Sequence, residues 1–147
     1  MRKFILIFIV GIAVYGFLQL SPKYFSINTF FSSEISTSDL SLKEAFKNNQ
    51  SNIQVGGSGK IITILPDDTQ GRRHQRFIIK LNSGQTLLIS HNIDIAPRIS
   101  ALSVGDHINF YGEYEWNSKG GVVHWTHHDP SGRHEGGWLT HGGKLYQ

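Results

Sequence analysis

Histidines are concentrated in one short segment of this chain. Residues 124–141 read HWTHHDPSGRHEGGWLTH and contain five of the eight histidines, with Asp129 among them. Histidine is the commonest metal ligand and the side chain that titrates nearest to neutral pH. Its imidazole suits zinc and other transition metals. The segment therefore indicates where a functional site lies, but it does not specify the chemistry.

A turn in the middle of this segment leads to a geometric prediction. The residues DPSG at 129–132 fit a type I turn, with Asp first, Pro second and Gly fourth. If the turn closes a hairpin, His127 lies opposite His134, with the Cβ atoms about 5 Å apart. Two imidazoles at that separation can share one metal, since zinc–nitrogen bonds are about 2.0–2.1 Å long. His127 and His134 are the predicted metal ligands, and His124 or Asp129 is the third.

Other polar residues extend this hypothesis. The further candidate metal ligands are His91, Asp94 and His128. A hydrolytic version would use the metal to activate water, with Glu113 or Asp129 as general base and Arg76 or Arg133 to hold an anion. Two plainer interpretations need no metal. Asp94 could cap a turn, and the histidines could form a hydrogen-bonded network that holds the C-terminal tail to the domain.

The composition excludes several classes of site. The chain of 147 residues has no cysteine, so disulfides, thiolate zinc sites and cysteine nucleophiles are absent. The formal charge is +3, but from Ile53 onward nine Lys and Arg balance eight Asp and Glu. Nucleic-acid binders carry a basic stripe, because phosphate contacts supply most of their affinity. This near-neutral domain disfavours a nucleic-acid partner.

The N-terminus predicts a membrane anchor at residues 1–20. Arg2 and Lys3 precede an apolar run of 17 residues, Phe4 to Leu20, that is broken only by Gln19. The residues after it are bulky where a signal-peptidase site needs small ones, so an uncleaved anchor is favoured over a cleaved signal. The positive start stays in the cytoplasm, which puts the domain outside the inner membrane, in the periplasm. The alternative is secretion to the periplasm after cleavage.

Residues 21–52 read as a linker with one short helix. The stretch is rich in Ser and Asn, and Ser41 and Glu44 have the spacing of a capping box. Apolar residues follow at helical spacing, which predicts a helix over about 41–49.

Residues 53–147 alternate with the period of β-strands. Glycines near residue 57 are expected to allow a bend or bulge in the first strand. Trp125 is expected in the core, since it would alternate with His124 along a strand. Five strands separated by polar turns, with the longest interruption after the third, predict a small OB-like barrel. The predicted strands cover residues 53–65, 76–81, 86–90, 107–116 and 122–126.

Several segments of this domain resemble a known bacterial family. They are HQRF, HNID, GDHINFYGEYEWN and HWTHHDP, and the similarity extends over about residues 55–147. That family is classified as a domain of unknown function, so the resemblance implies a compact extracytoplasmic domain behind an anchor and brings no activity with it.

The sequence therefore predicts a membrane-anchored, extracytoplasmic binding domain with a polar His/Asp/Arg site. The alternative is a metal-dependent hydrolase of the nuclease or phosphodiesterase type that uses the histidine cluster with a divalent metal such as zinc. The ligand or protein partner is not specified by any motif.

Overall fold

The structure, a computed structural model, describes residues 38–147. The elements in this part of the chain are one helix, α1 (38–47), and the strands β1 (Ile53–Ile64), β2 (His74–Lys80), β3 (Thr86–Asn92), β4 (His107–Glu115), β5 (Val122–His124), β6 (Trp138–His141) and β7 (Lys144–Tyr146). The predicted membrane anchor at residues 1–20 lies outside the described residues. Within residues 38–147, no helix is both long and apolar enough to cross a membrane.

The first five strands form a closed barrel. They are hydrogen-bonded in the order β1-β2-β3-β5-β4, and β4 returns to pair with β1. The contact between β3 and β5 is parallel, while the other pairings are antiparallel. In the closed barrel each of these five strands has a neighbour on both sides, so none of them is an edge strand. The prediction of a mainly β domain built on a five-stranded barrel is confirmed.

Strand β1 closes the barrel because it is long enough to pair with both β4 and β2. Its first part, residues 53–60, pairs with β4, and its last residues pair with β2. The register shifts between Ile61 and Thr63, so the bulge falls after the glycines and not at them as expected. Gly57 has a different role. A Cβ there would lie 2.8 Å from the Phe110 ring, so its absence lets this fully buried ring pack against β1.

The helix covers one part of the barrel core. Leu42 and Ala45 are buried, as expected for residues three apart on one helix face. Asp39 is also buried, and its Oδ2 accepts a hydrogen bond from the Ser83 backbone N–H in the β2–β3 turn. The helix includes residues 38–40, so Ser41 lies within it and not at its start. The hydrophobic side chains of the strands that are less than 2% exposed are Ile61, Phe77, Ile79, Leu87, Ile89, Ile108, Phe110, Tyr114, Val123 and Leu139.

Strands β6 and β7 were not predicted from the sequence. β6 pairs with residues 108–111 of β4, and β7 pairs with β6. Gly142 and Gly143 connect them with φ angles of 56° and 77°. Positive φ at both positions is what a type I′ hairpin turn requires, and Gly-Gly between short strands is a known signal for it. The strands are only four and three residues long, too short for a clear alternation.

One edge of β4 is shared by two strands, and a loop leaves between them. β5 pairs with residues 113–115, and β6 pairs with residues 108–111. The connecting residues 125–137, called the 125–137 loop below, contain no strand. Trp125 has a φ of 51°, which ends β5 at His124. The predicted extension of this strand to residue 126 and the predicted hairpin about residues 129–132 are therefore wrong, and Trp125 is half-buried at the loop's start, not in the core.

Candidate metal centre and adjoining cleft

Two strands bring a histidine and two carboxylates together. Antiparallel pairing places Glu113 of β4 directly opposite His124 of β5. Glu115 follows two residues later on the same face of β4, since side chains alternate along a strand. Directly opposed side chains start about 5 Å apart and diagonal ones can also reach each other. The strand register therefore creates this cluster without help from the loop.

The cluster has the geometry of a metal site. His124 Nε2 lies 3.4 Å from Glu113 Oε1 and 4.0 Å from Glu115 Oε1. One ligand atom from each side chain falls within 4.8 Å of the other two, and within residues 38–147 no other three His or acidic residues meet this condition. Ligand atoms around a tetrahedral zinc ion are roughly 3.3 Å apart. The distance from His124 to Glu113 matches this spacing, and the distance from His124 to Glu115 is longer.

His124 lacks a hydrogen bond where burial demands one. Its Nε2 atom is inaccessible to solvent and has no hydrogen-bond partner. A buried polar nitrogen without a partner costs about 1–3 kcal/mol and calls for an explanation. Burial lowers the pKa of His124 below its usual value, although Glu113 and Glu115 partly oppose this effect. The imidazole is therefore neutral near pH 7, which is the form that ligates metals.

His134 supports the cluster from the loop. Its Nε2 donates to Glu113 Oε2 over 2.6 Å, and its Nδ1 donates to the Glu135 carbonyl over 2.7 Å. Burial opposes the charged form, but these two hydrogen bonds outweigh it and raise the pKa of His134. The ring also stacks on Trp125, with centroids 3.9 Å apart and planes at 9°. Glu113 is thus fixed by one oxygen while the other faces His124.

Asp129 organises the loop that carries His134. The predicted turn is present, with a hydrogen bond from Gly132 N–H to the Asp129 carbonyl over 3.0 Å. The Asp129 carboxylate accepts from the Ser131 hydroxyl and from the backbone N–H groups of Ser131, Arg133 and His134. These hydrogen bonds, led by that of the Ser131 side chain, hold the pKa of Asp129 well below its usual range. Asp129 is therefore a structural residue, already saturated with donors.

Replacing Asp129 by alanine should loosen this loop without unfolding the barrel. We expect faster amide hydrogen exchange at Arg133 and His134, since both amides lose their acceptor. Exchange in β3 should stay unchanged and serves as the internal control. Unaltered protection at both loop amides would contradict this role for Asp129.

The remaining predicted ligands lie outside this cluster. Both ring nitrogens of the buried His91 are hydrogen-bonded, one to Thr126 Oγ1 and one to the Pro97 carbonyl. Asp94 binds the backbone and guanidinium of Arg73. His127 Nδ1 donates to the backbone carbonyl of the neighbouring His128, and His128 itself is exposed. The predicted facing of His127 and His134 across a hairpin is replaced by contacts of both rings with Trp125.

The catalytic candidates are also dispersed. Arg76 donates to the Pro66 carbonyl through two nitrogens, which fixes the loop before β2. Arg133 lies in the 125–137 loop and donates to Ser131 Oγ over 3.2 Å. Only Glu113, of the four predicted catalytic residues, belongs to the cluster. Glu115 was not among the predicted metal ligands, because the register of β4 and β5 was needed to place it beside His124.

A cleft adjoins the cluster on the side of the loop. It consists of two cavities of about 160 and 240 Å³ that share Arg72 and Trp125, and it is called the Arg72–Trp125 cleft below. The smaller cavity is also lined by His74, Ser90, Asn92, His124 and His127, and the larger by Ile95, Asp129, Pro130, Ser131 and Arg133. His124 therefore belongs to the candidate metal centre and to the wall of the cleft.

Fold and site together define a small β-barrel domain with a histidine–carboxylate cluster where an irregular loop leaves the barrel. The chain belongs to the family described as "Protein of unknown function (DUF3465)", whose model matches residues 25–147. That match agrees with the resemblance stated from the sequence. A comparison with the curated proteins gave no match.

Proposed function

We propose that this chain is a binding domain of the OB type that holds one divalent transition metal at Glu113, Glu115 and His124. The observation that carries the metal proposal is the buried His124 Nε2, which lacks a hydrogen-bond partner and faces two carboxylates. The OB assignment is supported by the strand order, with β1 closing on β4 and β3 parallel to β5. Fold alone does not assign a ligand, so the function rests on the site.

Zinc suits the chemistry of these ligands best. One imidazole and two carboxylates supply three protein ligands, which leaves a fourth position open for water or another molecule. Metal-binding carboxylates are themselves hydrogen-bonded in well-ordered sites. His134 would have this supporting role through Glu113 Oε2. The cluster would then be an open site next to a cleft and not a closed structural one.

The proposed location follows from the N-terminal sequence. The apolar run of residues 4–20 behind Arg2 and Lys3 supports an inner-membrane anchor with the domain on the extracytoplasmic side. A domain without cysteine would not depend on the redox state of that compartment.

Metal titration of the full chain tests the proposal. The untagged protein is stripped with a chelator and titrated with zinc in competition with a chromophoric chelator. We expect one zinc per chain, and we expect Glu115→Gln and His124→Asn each to weaken binding by about 100-fold or more, since a lost outer-shell partner alone costs about 10–100-fold. His134→Gln should fall within that smaller range.

A histidine outside the cluster provides the matched control. His107 is exposed on the same strand as Glu113 and Glu115, so His107→Asn should bind zinc as the unmodified protein does. Unfolding of each metal-free variant by urea checks that the barrel is intact. Equal zinc affinity in the His124 and His107 variants, or no stoichiometric binding by the unmodified chain, would overturn the proposal.

A further inference from the structure

We propose that the Arg72–Trp125 cleft binds a phosphate-type oxyanion between the guanidinium groups of Arg72 and Arg133. Both arginines line the larger cavity of this cleft. The site is distinct from the candidate metal centre and does not need the metal for its charge. It goes beyond the proposed metal binding because it assigns a ligand class to the neighbouring cleft.

Ion pairing distinguishes Arg72 and Arg133 from the other arginines in the described part of the chain. Residues 38–147 contain five arginines. Three of them are ion-paired: Arg73 with Asp94, Arg76 with Asp68 and Arg98 with Asp67. Arg72 and Arg133 are the two without an acidic partner in this part of the chain, and they are the two that line the cleft. A guanidinium presents five donors in a fork that matches phosphate oxygens.

The acidic residue in the cleft wall does not neutralise this pair. Among residues 38–147, Asp129 is the only carboxylate that lines the larger cavity. Its oxygens accept four hydrogen bonds from within the loop, which direct them toward Ser131 and the backbone of Arg133 and His134. One carboxylate against two guanidinium groups leaves a net positive charge at the larger cavity.

The smaller cavity adds the hydrogen-bonding groups of His74 and His127. His74 and His127 each donate Nδ1 to a backbone carbonyl, over 2.8 Å in both cases. With Nδ1 engaged as a donor, Nε2 is the ring nitrogen that each histidine has left for a ligand. The cleft can therefore bind the charged group of a ligand at the two arginines, and hydrogen-bond donors of the same ligand at the two histidines.

Trp125 forms the wall between the two cavities at a conformational cost. Its φ of 51° is an outlier for a bulky residue, and such positions cost about 1–3 kcal/mol and cluster at ligand sites. The volumes of the cavities are below the roughly 300–1,000 Å³ of sites for drug-sized ligands. A small anion, or a compact phosphate ester that spans both cavities, fits this space.

Phosphate binding by the full chain tests the proposal. Inorganic phosphate and adenosine 5′-monophosphate are titrated separately into metal-free protein at low salt, by calorimetry and by ³¹P NMR line broadening. We expect saturable binding that weakens about tenfold or more in Arg72→Gln and in Arg133→Gln, since hydrogen bonds to charged groups are worth about 1.5–3 kcal/mol. Lys80→Gln removes the same charge at an exposed position of β2 and should leave affinity within about twofold.

The two probes identify the source of the phosphate group. Similar affinity for both supports free phosphate as the ligand, and tighter binding of the nucleotide supports a phosphate ester with contacts to Trp125. Lack of saturable binding for both probes, or equal loss in the arginine and Lys80 variants, overturns the proposal. The variant Glu115→Gln separates it from the metal proposal, because Glu115 lines neither cavity, so zinc binding should weaken there while phosphate binding stays.

Discussion

Acidification from pH 7 to pH 4 is expected to lower the free energy of unfolding by about 3 kcal/mol through His91 alone. Burial lowers the pKa of this histidine to about 4, and each pKa unit below the ordinary 6.5 corresponds to about 1.4 kcal/mol. The ring is fully buried on β3. Hydrogen bonds with the Pro97 carbonyl and Thr126 oppose the effect of burial but do not cancel it.

The sign of this effect follows from the two pKa values. Between pH 6.5 and pH 4, His91 is protonated in the unfolded chain and neutral in the folded one, so acid favours unfolding. Stability from this group is complete above about pH 6.5, decreases as the pH falls toward 4 and is constant below that. The measurement is urea unfolding of metal-free protein at half-unit steps over this window.

Two substitutions isolate His91 from the other histidines. His91→Gln should be less stable at pH 7, since it disturbs a packed position, but its stability should depend much less on pH. Some dependence will remain, because burial also lowers the pKa of His124 and His127. His107→Gln, on the exposed face of β4, should keep the full slope. Parallel pH profiles for the unmodified chain and His91→Gln would refute the assignment.

Replacement of Gly112 by alanine should cost roughly 3 kcal/mol and weaken metal binding together with stability. Gly112 lies on β4 between the segments that pair with β5 and β6. An added Cβ would lie 2.4 Å from the His124 carbonyl oxygen and 2.9 Å from Thr126 Cγ2. Backbone atoms cannot rotate away, so β5 must move and take His124 from its position opposite Glu113.

Gly136, in the 125–137 loop, has room for an added Cβ and is the control. At Gly136 an added Cβ meets nothing closer than 3.5 Å, which is ordinary contact. Gly136→Ala should therefore change stability by less than about 0.5 kcal/mol and leave zinc affinity unaltered. Urea unfolding and zinc competition of both variants provide the comparison. Undiminished stability and zinc affinity in Gly112→Ala would show that β5 does not pack against Gly112 as described.

The local sequence pattern was enough to predict the elements that depend on neighbouring residues in the chain. The first five strands are visible as alternating runs, and the turn at 129–132 is encoded by Asp, Pro and Gly at the positions that a type I turn prefers. The prediction failed for the residues just before this turn. It continued β5 through Trp125, because nothing in the sequence indicates that a tryptophan adopts a φ of 51°. The hairpin and the facing of His127 and His134 both depended on that continuation.

The amino-acid sequence by itself determined the class of fold, the absence of thiol chemistry and the choice of histidine and carboxylate as possible ligands. These depend on composition and on neighbours in the chain. Tertiary structure decided which of those residues meet. Glu113 and His124 are opposite each other because of the β4–β5 register, and Arg72 of the loop before β2 lines one cavity with Arg133 of the 125–137 loop. Such contacts join positions far apart in sequence, where periodicity carries no information.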